Sequence, residues 1–251
     1  MPKIIIVILF LQLFLTGVIF ADIEDVHSFY LEREYNKAIE EAVGIVNNFS
    51  TRKDAQEAYF YLGLSRMKTG SYKDARDDFR ALVDRFPGGQ FAQRAFLSIG
   101  DCFFMEDNYT KAGEVYKSFL ENYPKSDLLH IAYFRLGQTN LKLGNWQIAK
   151  NYLNQLKERY PNSLEARQAD ELITREEFFT VQVAAFINQN SAQELINKLK
   201  SDGFDPFIAK VNTEDGKAVY RVRVGKLTNR YDAEALQAAL ALKDYPTRIY
   251  P

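Results

Sequence analysis

The chain is poor in the residues that carry out chemistry. Its 251 residues include one cysteine and two histidines. Cys102 has no partner for an internal disulfide and lies far from the N-terminus, so it cannot be the lipid-bearing residue that follows a lipoprotein signal. It stands among Ile99, Phe103 and Phe104 in a helical pattern, which predicts a buried, inert thiol. His27 and His130 are isolated, which supplies little for metal ligation or for histidine-assisted nucleophilic attack. Net charge is lacking as well: 32 Lys plus Arg against 33 Asp plus Glu leave −1, with no bias toward nucleic acid or anionic lipid. Glycan cleavage would need two carboxylates across one bond, and the acidic residues here fall mainly on helix exteriors, where solvated surface is the default. The expectation is binding without catalysis, with no cofactor, no metal and no nucleic acid.

What is present begins with one apolar run. Lys3 precedes Ile4 to Phe20, interrupted by Gln12, Thr16 and Gly17, and Ala21 stands before the acidic Asp22-Ile23-Glu24-Asp25. That is the layout of a secretory signal, residues 1–21. The run is also near the lower limit for a membrane span, about 17 residues, so an inner-membrane anchor over residues 4–20 is the alternative. Either way the rest of the chain is expected outside the cytoplasm, in the periplasm, touching membrane only if the leader stays uncleaved.

From Asp22 to Arg175 the sequence repeats itself. Ala38, Ala75, Ala112 and Ala149 are 37 residues apart, and Tyr35, Tyr72, Tyr109 and Trp146 keep the same step. So do Gly63, Gly100 and Gly137, and Pro87, Pro124 and Pro161, with Ser50 at the matching place in the first copy. Each copy reads as two antiparallel helices. The small residues allow close backbone approach, Phe79, Tyr116 and Leu153 fill the space between successive copies, and the prolines end the second helix. Such pairs cannot bury their apolar faces alone, so about four copies stack into a curved solenoid with a concave surface. Ser163 to Arg175, with Leu164, Ala169 and Leu172 at helical spacing, caps the stack.

These copies resemble the tetratricopeptide repeat, whose Leu-Gly, Ala, aromatic and Pro positions match Leu62-Gly63, Ala75, Phe79 and Pro87. The match runs through copies two to four. The first is degenerate, with Val26 in the place of the glycine. The usual period is 34, and the longer copies here are similar to those of periplasmic proteins of outer-membrane assembly and the Tol-Pal system. The resemblance implies a groove that docks a protein partner, here an envelope protein.

After Glu176 and Glu177 the periodicity changes. Phe179, Val181, Val183 and Ala185 alternate with Thr180, Gln182 and Ala184, which predicts a half-buried strand. Ser191-Ala192-Gln193-Glu194 reads as a capping box opening a helix that buries Ala192, Leu195, Ile196 and Leu199 and ends at Gly203. A strand over Phe207 to Val211, the turn Glu214-Asp215-Gly216 and a strand over Ala218 to Val224 follow. Thr228-Asn229 start a last helix with Ala235, Leu236, Ala239 and Leu240 inward, and Thr247 to Tyr250 form the last strand. The order βαββαβ predicts a small α+β domain, residues 178–251, with a four-stranded antiparallel sheet covered by two helices on one face. Alternation places Gln182, Arg221, Arg223, Arg248 and Tyr250 on the open face, a mix of donors and an aromatic ring that suits carbohydrate.

Three segments, Phe179-Thr180-Val181-Gln182-Val183, Tyr220-Arg221-Val222-Arg223-Val224-Gly225 and Asp232-Ala233-Glu234-Ala235-Leu236, resemble the SPOR (sporulation-related) domain. The resemblance implies peptidoglycan binding through the open face, with preference for glycan strands lacking stem peptides and with Gln182, Arg221 and Arg223 in contact. Ala184-Ala185 and Gly225-Lys226-Leu227 depart from that family's usual Gly-Ser and Gly-Pro-Phe. The whole chain is thus expected to be a tetratricopeptide-like solenoid followed by a SPOR domain, holding septal or envelope glycan while the repeats dock a partner. The alternative is a coordinator of the Tol-Pal or outer-membrane-assembly type, in which the repeats dominate and glycan binding is weak.

Overall fold

The computed structural model describes residues 22–48, 52–174, 177–213 and 216–251. The expected leader at 1–21 lies outside them, as do Ser50, Glu176 and Glu214-Asp215 of the expected turn. Among the described residues nine helices come first: α1 (Ile23–Leu31), α2 (Tyr35–Asn48), α3 (Arg52–Lys68), α4 (Tyr72–Arg85), α5 (Ala92–Met105), α6 (Tyr109–Asn122), α7 (Leu129–Leu143), α8 (Trp146–Arg159) and α9 (Leu164–Ile173). Then follow β1 (Phe179–Phe186), α10 (Gln189–Ser201), β2 (Pro206–Asn212), β3 (Ala218–Leu227), α11 (Arg230–Ala241) and β4 (Arg248–Tyr250). Consecutive helices α1 to α8 pack pairwise, and α9 closes the end against α7 and α8.

Each pair is joined by one device. A Cβ built on Gly63 would lie 2.6 Å from the Phe79 ring, one on Gly100 2.4 Å from Tyr116, and one on Gly137 2.4 Å from Leu153. These three large side chains are fully buried. Each therefore seats against the glycine of its own pair's first helix, where the sequence pattern had put it between successive copies. The first pair reverses the sizes: Val26 takes the glycine position and Ala42 the large one, and both are fully buried in one cluster. A small partner for a large one conserves the summed volume, which interior packing demands.

The turns inside the pairs share a second device. Arg33, Gly70, Asp107 and Gly144, again 37 residues apart, all take positive φ (64, 81, 57 and 78°). The left-handed residue reverses the chain at the C-terminus of each first helix. At the far end of the second helices, Phe86, Tyr123 and Tyr160 leave helical geometry because the prolines that follow them clash with an α-conformation. In α9 Ala166, Ala169 and Leu172 are buried, whereas Leu164, expected in the stripe, is 57% exposed at the helix start.

One of the stack's ion pairs joins the two helices of a single copy. Arg66 Nη1 donates to both carboxylate oxygens of Asp78 at 2.7 and 2.8 Å. Burial nevertheless pushes the Asp78 carboxyl up to about 7, outweighing the guanidinium beside it. Cys102 is fully buried, and burial likewise raises its thiol to about 12.

The C-terminal sheet has the order β2-β3-β1-β4, all neighbours antiparallel. Val181, Val183, Val222 and Val224 form one core with Ala192, Ile196 and Leu199 of α10 and Leu240 of α11, so both helices cover the same face. Three local expectations change. Asn188 caps α10, accepting from the Asn190 N–H at 2.8 Å, so the helix opens before the Ser191 box. A bulge between Gln182 and Ala184 shifts the alternation of β1: Ala184 faces Val222, and Ala185 faces Arg221 on the open side. In α11 the inward stripe is Ala233, Leu236 and Leu240, while Ala235 and Ala239 are exposed. Gly225 (φ 74°) sets that roll, because a Cβ there would come within 2.8 Å of Leu236.

The glycine seats give a test by contrast. Gly113 in α6 leaves ordinary room, its built Cβ being 3.5 Å from Thr139. Gly113→Ala should therefore raise stability by up to about 1 kcal/mol through helix propensity. Gly100→Ala should lower it by about 1–2 kcal/mol, since overpacking of about 1–3 kcal/mol exceeds that gain; urea midpoints of the two variants read the opposite signs.

Asp78 gives a test by pH. Its folded value lies above that of an unfolded aspartate, about 3.9, so its contribution to stability is complete below about pH 4 and is lost as pH rises through about 7. Asp78→Asn should gain on the wild type between pH 5 and pH 8, read as the difference between their urea midpoints.

Candidate functional site

The open face is built by register. Across one row lie Phe207 on β2, Arg223 on β3, Gln182 on β1 and Arg248 on β4, each paired with the next. The next row pairs Thr180 with Tyr250, and the row beyond Gln182 holds Ala209, Arg221 and Ala185. Gln182, Arg221, Arg223, Arg248 and Tyr250 thus share one face, and Gln182 sits between two arginines. Among the described residues the strand positions of this face carry no carboxylate, so its field is one-signed.

Arg223 and Tyr250 come from strands on opposite sides of β1, and their side chains meet above it. The guanidinium lies 3.8 Å from the ring centroid. Thr180, beneath that contact, is fully buried although it belongs to the open face, and Arg223 is only 9% exposed. Arg223 is therefore a fixed, pre-stacked cation, whereas Arg221 is half-buried and Arg248 exposed. A planar guanidinium held this way keeps its charge at one place on the face with little further loss of side-chain entropy.

Sequence reading missed a second cluster on this face. Lys226 lies 5.1 Å from the Phe178 ring and 5.5 Å from the Phe207 ring. The sequence puts Phe207 in a strand without giving it a face, and Lys226 enters only as a departure from a family pattern. The positive φ of Gly225 marks the bulge that brings Lys226 onto the open side, since Phe179 pairs with Leu227 while Val181 pairs with Val224.

The solenoid reaches the module at its edge. Trp146 packs on Phe179 with ring centroids 5.0 Å apart, and the Arg230 guanidinium lies 4.7 Å from the Tyr109 ring centroid. Arg230 Nη1 also donates to the Lys142 carbonyl at 3.4 Å, and Lys150 pairs with Glu177 at 2.6 Å. Tyr109 donates to Asp107, and burial pushes its hydroxyl up to about 12. The two aromatic anchors are one repeat apart, each the first residue of its helix. The helices that pack extensively on the strands are α10 and α11, on the opposite side from the arginines.

Elsewhere, His27 sits 3.1 Å from Glu57 and His130 3.6 Å from Glu165, and no group of three metal-ligating side chains occurs among the described residues. No helix among the described residues is long and apolar enough to cross a membrane.

These features define a one-sided α+β binding module carried on a helical-repeat stack. Residues 176–248 match the model of the SPOR domain, and residues 32–90, 60–127 and 131–163 match tetratricopeptide repeat models. The chain carries a SPOR domain preceded by tetratricopeptide repeats. SPOR domains bind peptidoglycan and tetratricopeptide repeats bind proteins, which marks a cell-envelope protein made of two non-catalytic binding units. The structure is similar to the apo form of RapI (14% identity, 72% of this chain and 68% of that one, TM-score 0.51). It is also similar to MamA (18%, 59% and 81%, 0.47) and to a tetratricopeptide repeat protein from Parabacteroides merdae ATCC 43184 (14%, 72% and 65%, 0.49). At these identities the likeness to RapI speaks for the repeat fold alone. No curated protein matches the sequence.

The stacked pair is testable without any ligand. Tyr250→Ala should uncover Thr180 and lower the stability of the module by about 1 kcal/mol, and Tyr250→Phe, which keeps the ring face, should lose less. Thermal unfolding followed by near-ultraviolet circular dichroism distinguishes the two.

Proposed function

We propose that this chain is a non-enzymatic periplasmic protein, exported by residues 1–21, that grips peptidoglycan glycan through residues 178–251. Residues 22–175 dock an envelope protein, in cell division or envelope maintenance. The observation that carries this reading is the row Phe207, Arg223, Gln182 and Arg248 beside Tyr250 on an uncovered sheet face. A sugar ring presents an apolar face to Phe207 or Tyr250 and hydroxyls to Gln182.

The lack of carboxylates on that face supports an anionic ligand. A glycan strand stripped of stem peptides exposes a free lactyl carboxylate on each muramic acid, which Arg221, Arg223 or Arg248 pairs with through a charge-assisted bond. Glycan with intact stem peptides offers no carboxylate at that position. The preference for stripped strands then follows from charge.

Co-sedimentation of the full chain with purified sacculi, before and after amidase treatment, tests the reading. The wild type should bind treated sacculi more tightly. Gln182→Ala combined with Arg221→Ala should weaken binding by about ten-fold or more, one to two charge-assisted bonds being lost, with the circular dichroism spectrum unchanged. Equal binding by wild type and double variant would show that another surface is responsible. A reduced-lactyl glycan that binds as tightly as the acid would remove the charge argument.

A further inference from the structure

Beside β4 the module and the solenoid enclose a cleft of about 320 Å³. Phe104, Met105 and Tyr109 form its solenoid wall, Gln237 and Ile249 its module wall, and Lys142 and Arg230 bridge the two. Arg248 lines this cleft as well as standing beside Gln182 on the open sheet face. The sheet face and the cleft are therefore one continuous surface that turns over the edge of β4. Its chemistry continues too: the cations Lys142, Arg230 and Arg248 line it, Met105 adds exposed apolar surface, and Gln237 donates to the Thr247 carbonyl at 3.4 Å. Among the described residues, Asp107 lines the cleft and accepts from Tyr109, and Glu234 accepts from Arg230 at 2.8 Å.

We propose that a glycan strand lying on the sheet crosses β4 and continues into this cleft, so that the last repeats of the solenoid bind sugar directly. The inference rests on the reading of the sheet face given above. The solenoid is then part of the glycan site, and long strands are held by both units. A short strand is served by the sheet alone, while a longer one continues past Arg248 to Lys142 and Met105. Arg230 already holds Tyr109 and the Lys142 carbonyl, so the cleft walls are set before ligand arrives.

The test compares four-sugar and eight-sugar fragments of stem-peptide-free glycan, titrated calorimetrically against the full chain. Met105→Glu and Lys142→Glu alter the solenoid wall at a 56% exposed residue and at a half-buried side chain outside the helix-pair cores. The wild type should favour eight sugars over four. Each variant should lose about ten-fold of the eight-sugar affinity while keeping its four-sugar affinity, and Met105→Glu should keep its unfolding midpoint as well. Length preference that survives both substitutions would overturn the proposal and leave the sheet-face reading intact. Length preference seen only with stem-peptide-bearing fragments would overturn it in favour of peptide in the cleft. Failure of the wild type to bind four sugars would overturn the sheet-face reading itself.

Discussion

The seam between the two units is made where β1 and α11 begin, and that placement governs what each surface can do. Trp146 takes Phe179 at the start of β1, and Tyr109 takes Arg230 at the start of α11. Both anchors come from one helical-repeat position, so their separation is set by the stacking of α6 and α8. Had the stack met the sheet broadside, it would have covered the arginine face. Meeting it at the start of β1 and of α11 fixes the module without covering Arg221 or Arg248, and it forms the cleft by β4 as a by-product of the geometry.

A bare sheet face is a liability unless its side chains discourage pairing and collapse. Here the liability is managed with charge. Arg221, Arg223, Lys226 and Arg248 spread cations over the face, while Phe178, Phe207 and Tyr250 lie beneath or beside them. Each cation over a ring shields apolar area from water without hiding it from a ligand that presents both hydroxyls and a flat ring face. The fixed Arg223 differs from the exposed Arg248 in entropy cost: one is already ordered over Thr180, and the other must be ordered on binding.

Much of this was legible in the sequence, because periodicity reports faces. The 37-residue step announced the helix pairs, since glycine recurs opposite a large residue at each seat. Alternation along Tyr220 to Val224 separated arginines from valines correctly. Periodicity failed wherever a local backbone device resets it. The bulge after Gln182 moved Ala185 to the open side, and Gly225 both rolled α11, exposing Ala235 and Ala239, and delivered Lys226 to the face. Asn188 capped α10 ahead of a well-formed box at Ser191, because an Asx oxygen next to an earlier N–H is as good a cap. The roles of Tyr109 and Trp146 were illegible for a different reason. A repeat position looks the same in every copy, and only the neighbour that arrives in space distinguishes the copies that dock from those that do not.

The contacts across the seam have a consequence for a protein with two binding units. A flexible tether would let the repeats and the module engage their ligands independently, with an effective concentration that falls as the tether lengthens. Here Lys150–Glu177 and Trp146–Phe179 span the seam beside the start of β1, and Arg230–Tyr109 ties α11 to α6. A partner seated in the repeat groove is therefore presented at one orientation to whatever the sheet face holds. On the proposed reading, the protein aligns an envelope partner with the direction of a glycan strand, which independent attachment of the two would not do. Aligning them requires that the strand itself have a defined course over the module, and the continuity of the sheet face with the cleft past Arg248 supplies one.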